Sequence, residues 1–253
     1  SLMACSSGTR AVRAGGFAIN NVMEYITIAN TGNTTDFGDL TAGRAIGGGT
    51  SSSTRGVFGG GQNDSNRLNI IDYITIANTG NASDFGDLTA GSRFGAASSG
   101  SVRGLRALGQ SGGSTLDTVE YVTLASTGDS TDFGNLTVAT SISGSASSKT
   151  RALFAGGVTG SGYTNAIDYF TIASTGNATD FGNLIAAKSY VFNGQCASTT
   201  RGIFAGGGAG GANLDVIEYI TIANTGNATD FGNLVAASLG GASVSSATRG
   251  VFI

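Results

Sequence analysis

The chain has 253 residues, of which 43 are glycine, none is proline and 40% are hydrophobic, so it is not a proline-rich disordered tract and can bury a core. Charged residues make up 11% and the formal net charge is −3, which argues against nucleic acid as a partner because no basic field would attract a phosphate backbone. No stretch reaches the roughly 18 consecutive apolar residues of a membrane helix, so we expect no membrane insertion.

A phrase built around Asp-Phe-Gly recurs along the chain. Its spacings are 48, 48, 48 and 50 residues, and its copies begin at Asp36, Asp84, Asp132, Asp180 and Asp230. Tyrosines keep the same intervals at Tyr25, Tyr73, Tyr121, Tyr169 and Tyr219. Each tyrosine follows an acid, namely Glu24, Asp72, Glu120, Asp168 or Glu218. A third mark is an arginine, present six times, at Arg10, Arg55, Arg103, Arg151, Arg201 and Arg249. We interpret these as structural repeat positions.

One copy, residues 188–235, contains four segments that suit strands. In chain order they are "KSYVFNGQCAS", "RGIFAGG", "DVIEYITIA" and "ATDFGNLVA", and the turn-forming "NTGN" lies between the last two. The third segment has apolar residues on both alternating faces, which indicates a sheet covered on both sides. No apolar pattern of period 3.6 is long enough for a helix.

Four strands repeating every 48 residues and buried on both faces predict an all-β fold, a five-bladed β-propeller of four-stranded antiparallel blades. The first segment of each copy would be the innermost strand, because glycine, alanine and serine fit the crowded axis. We expect one domain over 1–253, with blades at about 1–41, 42–89, 90–137, 138–185 and 186–235. Residues 236–253 repeat the first two strands once more, as surplus strands at the closure.

The pattern resembles the kelch type of propeller. The glycine pair that ends a kelch second strand is similar to "FGGG" at 58–61 and "FAGG" at 154–157, and the kelch third-strand tyrosine is similar to Tyr73 or Tyr169. An arginine at a fixed offset is also shared. The kelch outer strand has a tryptophan, whereas this chain has none and places a phenylalanine there, at Phe37, Phe85, Phe133, Phe181 and Phe231.

The wording "RGVFGGG…NIIDYITIANTGNASDFGDLTAG" resembles repeats in virion proteins of tailed bacteriophages, particularly those of marine cyanobacteria. This resemblance covers essentially the whole chain. It implies a structural or host-contacting role and a location in the virion, with a glycan or another virion protein as partner.

The closure of the ring leaves two alternatives. Either five blades close and the tail 238–253 displaces or extends the N-terminal strands, or the sequence comes from a longer array. Oligomerisation or strand exchange at the closure is open in both. Cys5 and Cys196 occupy equivalent inner-strand positions of blades 1 and 5, so a disulfide at the seam is conceivable, although two buried thiols are the better expectation.

The sequence has few residues that could form a catalytic or a metal site. The absence of histidine excludes Ser-His-Asp and Cys-His nucleophiles and every histidine-ligated metal site. Five copies of Asp-Phe-Gly without the other kinase motifs are structural.

Ten of the sixteen acids sit at repeated positions, where we expect a buried ion-pair or hydrogen-bond set with the repeated arginine. The "NTGNATD" loops have too few acids for calcium. We expect no catalysis, metal or cofactor; a glycoside-cleaving propeller is the weakest alternative.

Function is better sought where the copies differ, in the loops between the second and third strands. These loops emerge on the side of the inter-blade connections, while the uniform "NTGNATD" and "SSTR" turns emerge opposite. We predict a binding surface on the variable side, with candidate residues Asn63, Asp64, Arg67, Gln110, Tyr163 and Asn213. Unconstrained drift explains such variation equally well. Arg13 and Arg106 replace the phenylalanines of other copies and mark either exposed, partner-facing spots or local tolerance of a polar residue.

The sequence therefore predicts a non-enzymatic propeller that presents variable loops to a host glycan or a virion partner. A purely structural assembly element is the alternative.

Overall fold

The fold was determined as a computed structural model that describes residues 3–16, 18–64, 66–191, 193–194 and 196–252. Small antiparallel sheets stand in a ring around one axis, and the described residues contain no helix. The predicted five-bladed β-propeller is confirmed. In the described part of the chain, no helix has the length and apolarity to cross a bilayer.

Blades 1 to 4 are four-stranded antiparallel meanders whose first strand lies innermost. Blade 1 consists of β1 (Met3–Ser6), β2 (Arg10–Ala14), β3 (Val22–Thr27) and β4 (Thr35–Asp39). Blade 2 consists of β5 (Gly48–Ser51), β6 (Arg55–Gly59), β9 (Ile70–Thr75) and β10 (Ser83–Asp87). Its variable loop forms a hairpin of β7 (Gln62–Asn63) and β8 (Asn66–Arg67).

Blades 3 and 4 repeat this plan. Blade 3 consists of β11 (Ala96–Ser99), β12 (Arg103–Ala107), β15 (Thr118–Thr123) and β16 (Thr131–Asn135), with a loop hairpin of β13 (Gln110–Ser111) and β14 (Ser114–Thr115). Blade 4 consists of β17 (Gly144–Ser147), β18 (Arg151–Thr159), β19 (Gly162–Thr171) and β20 (Thr179–Asn183). The longer β18 and β19 extend directly into the variable loop of this blade.

Blade 5 has an irregular inner segment. Its strands are β21 (Asn193–Gly194), β22 (Arg201–Ala205), β25 (Val216–Thr221) and β26 (Thr229–Asn233), with a loop hairpin of β23 (Gly208–Ala209) and β24 (Ala212–Asn213). The segment from Lys188 to Arg201 is two residues longer than that from Arg44 to Arg55, which accounts for the 50-residue step. β21 therefore leaves blade 5 and runs parallel to the surplus strand that follows blade 5.

The surplus residues form an antiparallel strand pair, β27 (Ala242–Ser245) and β28 (Gly250–Phe252), which we call the half-blade; β21 is the third strand of this sheet. The half-blade stands in the ring between blade 5 and blade 1. Ser6 Oγ donates to the carbonyl of Ser245, and Ala242 and Val244 pack against Ala4. The tail therefore neither displaces nor extends the N-terminal strands of blade 1, because it occupies a separate sector of the ring.

The hydrophobic core lies between blades. Met23 and Phe37 of blade 1 pack against Phe58 and Ile74 of blade 2, and the same arrangement recurs from blade to blade. The sheets of blades 2 to 4 are thus covered on both faces, as the sequence pattern predicted, whereas Phe231 on the outer strand of blade 5 is exposed. The propeller is stable only as a ring, because a single blade buries neither of its faces.

The Asp-Phe-Gly phrase joins the outer strands of blades 1 to 4 to the next blade. In blade 4, Phe181 is 2% exposed, and its carbonyl accepts the N–H of Gly226 from the "NTGN" turn of blade 5 at 2.7 Å. Asn183 N–H donates to the side-chain oxygen of Asn227 at 3.0 Å. A Cβ at Gly182 would collide with the Gly226 backbone, so only glycine permits this approach. The repeated phrase therefore provides hydrogen bonds and a close backbone contact that hold neighbouring blades together.

Candidate functional site

The repeated arginines of blades 1 to 4 stack on the tyrosine of their own blade and donate to backbone carbonyls of the next blade. The guanidinium of Arg10 lies 4.2 Å from the Tyr25 ring centre and donates to the carbonyl of Ile76 in blade 2. Arg249 of the half-blade donates in the same way to the carbonyl of Ile28 in blade 1. Equivalent contacts to the next blade are made by Arg55, Arg103 and Arg151. The prediction that these arginines pair with the repeated acids is therefore wrong, because their donors serve backbone carbonyls between blades.

In blades 2 to 5, the acid before the tyrosine holds the connection that enters its blade. Asp72 accepts the backbone N–H and the hydroxyl of Thr41 at 3.2 and 2.6 Å. Asp168 holds Thr137 in the same way at 2.8 and 2.7 Å. By contrast, all five aspartates of the Asp-Phe-Gly phrase are exposed and form no ion pair among the described residues. Of the two repeated acids, therefore, only the acid on the third strand belongs to a buried hydrogen-bond or ion-pair set.

Unrepeated basic residues meet some of these acids. Arg44 Nη1 lies 2.9 Å from the Asp72 carboxylate, and both side chains are fully buried. Lys188 pairs with Glu218 in an equally buried position. Burial lowers the pKa of Arg44, and the nearby charge of Asp72 acts in the opposite direction. These pairs lie inside blade interfaces, where no substrate has access.

The two arginines that replace phenylalanine differ from each other. Arg13 pairs with Glu24, and about a quarter of each side chain is exposed. Arg106 is buried between blades 2 and 3, where burial lowers its pKa to about 10 and the charge of Glu120 opposes that shift. The alternative that Arg106 marks an exposed, partner-facing spot is wrong.

Cys5 and Cys196 are both free and buried. Burial raises the pKa of the Cys196 thiol to about 12, and it raises the pKa of Cys5 as well. The half-blade separates blades 1 and 5, so the two cysteines are not neighbours across a seam. Both are inert thiols of the packed interior.

The six predicted binding residues all lie in the second-to-third-strand loops, on the side of the inter-blade connections. Backbone pairs tie each of these loops to the entry of its own blade, as between Ala45 and Gln62. Asn63, Asp64 and Arg67 share the hairpin of blade 2, whereas Tyr163 and Asn213 belong to blades 4 and 5. Of the six, only Gln110 lines the opening next to the axis. The loops form one face, but they do not bring the predicted side chains into one site.

A cluster that the sequence analysis missed lies at the axis on this variable face. Of the six described residues other than glycine with left-handed φ angles, four lie here at φ angles of 63°, 58°, 62° and 53°, namely Ile46, Phe94, Ile142 and Tyr190. Their backbones form a chain of hydrogen bonds around the axis, in which each N–H donates to the preceding carbonyl at 2.8–3.0 Å and Gly240 ends the chain. Isoleucine in this conformation is a real outlier, and such strain persists only where the surroundings impose it.

We call Ile46, Phe94, Ile142 and Tyr190 the axial cluster. Beside it, an opening of about 460 Å³ lies between the loops of blades 3 and 4, with Gln110, Thr115 and Thr159 in its wall. Arg93 borders the cluster, stacks on Phe94 and donates to the side-chain oxygens of Gln110 and Gln62 at 2.9 and 2.5 Å. Two aromatic rings, aliphatic surface and fixed polar groups therefore meet at one end of the axis.

The axial cluster had a sequence signal. Its members recur at 48-residue spacing, and each is a large apolar residue within an inner segment made mostly of glycine, alanine and serine. Large side chains in a crowded position are unexpected unless they project out of the crowded region.

The opposite end of the axis is a serine-lined funnel of about 500 Å³. The first-to-second-strand turns of all five blades and the half-blade contribute to it, and Lys149 is its one charged lining residue among those described. Ser51 Oγ donates to the carbonyl of Ser6, and Ser245 Oγ donates to that of Ala197, both at 2.8 Å. These hydroxyls connect neighbouring inner strands, so they are engaged in ring closure.

No protein-family model matches the chain, and no curated protein matches its sequence. The kelch-like and bacteriophage resemblances therefore stay predictions. Among the described residues, no three histidine, cysteine, aspartate or glutamate side chains are grouped as metal ligands.

Proposed function

We propose that the chain is a non-enzymatic binding module of a phage particle, which holds a glycan at the axial end of its variable face. The observation that carries this proposal is the axial cluster, where Phe94 and Tyr190 are held in a strained conformation beside polar loop residues. Backbone strain of this kind is concentrated at ligand sites. Flat aromatic faces next to hydroxyl and amide groups suit a sugar, which has apolar C–H faces and polar edges.

Binding is favoured over catalysis by the placement of the carboxylates. The described residues that line the axial openings include no aspartate or glutamate, whereas a glycosidase needs two carboxylates at the scissile bond. The buried acids Asp72, Glu120, Asp168 and Glu218 hold blade connections instead. The location in a phage particle is supported by the resemblance of the repeat sequence to repeats of bacteriophage virion proteins, and by nothing in the fold.

A glycan array probed with the purified chain tests the proposal, with affinities of the positive sugars measured by calorimetry. Phe94→Asn and Tyr190→Asn remove the aromatic surface but keep a residue that tolerates a left-handed φ. We expect each variant to lose about tenfold in affinity.

Val102→Asn is the matched control, because Val102 is 60% exposed and lies on the opposite face, in a turn of the funnel. It should bind like the unmodified chain. An array without any positive sugar, or Phe94→Asn and Tyr190→Asn variants that bind normally, would contradict the proposal.

A further inference from the structure

Two basic residues on the variable face have no acidic partner. Six of the thirteen lysine and arginine residues are the repeated arginines, and three others form ion pairs. Arg106 is buried in a blade interface, and Lys149 lies in the funnel at the opposite end of the axis. The two that remain, Arg67 and Arg93, form no ion pair with any described residue. Both lie where blades 2 and 3 meet.

Gln62 connects the two arginines. In the loop hairpin of blade 2, Gln62 on β7 is the cross-strand partner of Arg67 on β8, so the two side chains lie on the same side of the hairpin. Arg93 Nη1 donates to the side-chain oxygen of Gln62. The hairpin also lies along the connection that contains Arg93, because the N–H of Ser92 donates to the carbonyl of Leu68 at 3.1 Å. Two guanidinium groups are therefore placed next to one glutamine.

Arg93 is held in a fixed position beside the axial cluster. Its guanidinium lies 4.8 Å from the centre of the Phe94 ring, and its Nε donates to the side-chain oxygen of Gln110 at 2.9 Å. Phe94 and Gln110 both line the opening next to the axis. The Nη2 atom of Arg93 donates to no described residue, and the side chain is half-buried. One donor of this oriented guanidinium is therefore unused at the edge of the opening.

The charge of Arg67 is also uncompensated. Its side chain is half-buried, and its Nε is buried without a hydrogen-bond partner among the described residues. The repeat does not require either arginine. The residues that take the place of Arg67 in blades 3, 4 and 5 are Thr115, Tyr163 and Asn213. The residues that take the place of Arg93 in the other connections are Ala45, Ser141 and Ser189.

We propose that the glycan held at the axial cluster is acidic, and that its carboxylate or sulfate group binds to Arg93 and Arg67. This inference rests on the proposed function, because it assigns a charge to the ligand of that site. The planar fork of an arginine matches the oxygens of a carboxylate or of a tetrahedral anion such as sulfate.

The surroundings of the two arginines favour an anion. No aspartate or glutamate is among the described residues that line the opening, so no carboxylate in its wall repels a negative group. Asp64, at the tip of the same hairpin, is exposed and forms no ion pair with either arginine. A partly buried charge without a counter-charge is costly, and a bound anion would remove that cost.

The test is an array in which each acidic glycan stands beside its neutral counterpart, made by reducing the carboxyl groups or by removing the sulfate groups. We expect an acidic glycan to bind the purified chain, and its neutral counterpart to bind about tenfold more weakly in calorimetry. Carboxyl-reduced and desulfated pairs distinguish the two anionic groups. An increase of the salt concentration to about 0.5 M should lower the ratio of the two affinities, because salt screens charges.

Charge-removing variants locate the anion. Arg93→Gln and Arg67→Gln should each lower the ratio of acidic to neutral affinity about threefold, and the double variant should bring it close to one. Binding of the neutral counterpart in the same experiment shows that each variant is folded. Lys149→Gln is the matched control, because it removes one positive charge at the opposite end of the axis and should leave the ratio unchanged.

The outcomes separate this inference from the proposed function. If glycans bind but acidic and neutral counterparts bind equally well, the ligand is not recognised by its charge, while the proposed function stands. If Lys149→Gln lowers the ratio as much as the arginine variants, the anion does not bind at Arg93 and Arg67. If no glycan of either kind binds, both the inference and the proposed function are wrong.

Discussion

The outer strands of the fourth and fifth blades, β20 and β26, have the same sequence, TDFGN, and different surroundings. Phe181 of blade 4 is covered by blade 5 and is 2% exposed, while Phe231 of blade 5 is 55% exposed. Within the blade the two residues are alike, because each ring meets its tyrosine edge-on at a centroid distance of 6.0 Å. The comparison shows that the Asp-Phe-Gly phrase serves the next blade more than its own.

The largest effect is expected from the buried acids. Asp72→Ala leaves Arg44 buried without a counter-charge and releases Thr41, which should cost about 3–5 kcal/mol. Glu24→Ala changes the equivalent acid of blade 1, whose pair with Arg13 is partly exposed, and should cost about 0–1 kcal/mol. Urea unfolding of both variants measures the difference. Equal losses would show that the buried pair with Arg44 and the bonds to Thr41 add nothing to the stability that Asp72 provides.

The phenylalanines test the packing between blades directly. Phe181→Ala should lower the free energy of unfolding by about 3 kcal/mol, because it leaves a cavity between blades 4 and 5. Phe231→Ala removes only the edge-on contact with Tyr219, so it should lower the free energy of unfolding by no more than about 1 kcal/mol. Urea unfolding of the pair separates inter-blade burial from intra-blade stacking. A large loss for Phe231→Ala would mean that the Phe231 ring is covered in solution.

The glycines of the Asp-Phe-Gly phrase allow the cost of backbone strain to be measured separately from the cost of a steric clash with the next blade. Gly182 and Gly232 have φ angles of 142° and 137°, so alanine is strained at both positions. Only at Gly182 would the new Cβ also meet the backbone of Gly226. We expect Gly182→Ala to cost about 1–3 kcal/mol more than Gly232→Ala in urea unfolding. Equal losses would assign the whole effect to strain and none to the contact between blades.

The repeat fixed much of this structure in advance. A 48-residue period, four strand-like segments and apolar residues on both faces predicted the propeller, because these patterns follow from local strand geometry and burial. The pairing of the arginines with the acids was predicted wrongly. Sequence spacing shows that two positions recur together, but it does not show whether a long side chain turns to its own blade or to the next one.

The binding site was harder to predict than the fold. The loop candidates were chosen for variability and polarity, and Gln110 is the one that reaches the axial opening. The members of the axial cluster recur every 48 residues in the sequence, but their place at the axis and their unusual backbone conformation depend on where the inner strands begin, which a residue pattern does not reveal. The half-blade shows the same limit, since the redundancy of residues 238–253 was visible but its separate sector is a property of the closed ring.

The smallest effect is expected from the repeated arginines, which compare a complete contact with an incomplete one. Arg151 stacks on Tyr169 at 4.6 Å and donates to the carbonyls of Ile222 and Ala223 at 2.8 and 2.9 Å. Arg201 stacks on Tyr219 at the same 4.6 Å without an equivalent carbonyl in the described part of the chain. Alanine at either position removes the stacking, so the difference between the two variants isolates the contact with the next blade.

Arg151→Ala should therefore be less stable than Arg201→Ala by about 1 kcal/mol in urea unfolding, the usual net contribution of hydrogen bonds that replace bonds to water. Equal losses for the two variants would show that the bonds from Arg151 to the carbonyls of Ile222 and Ala223 add nothing to the stacking on the tyrosine.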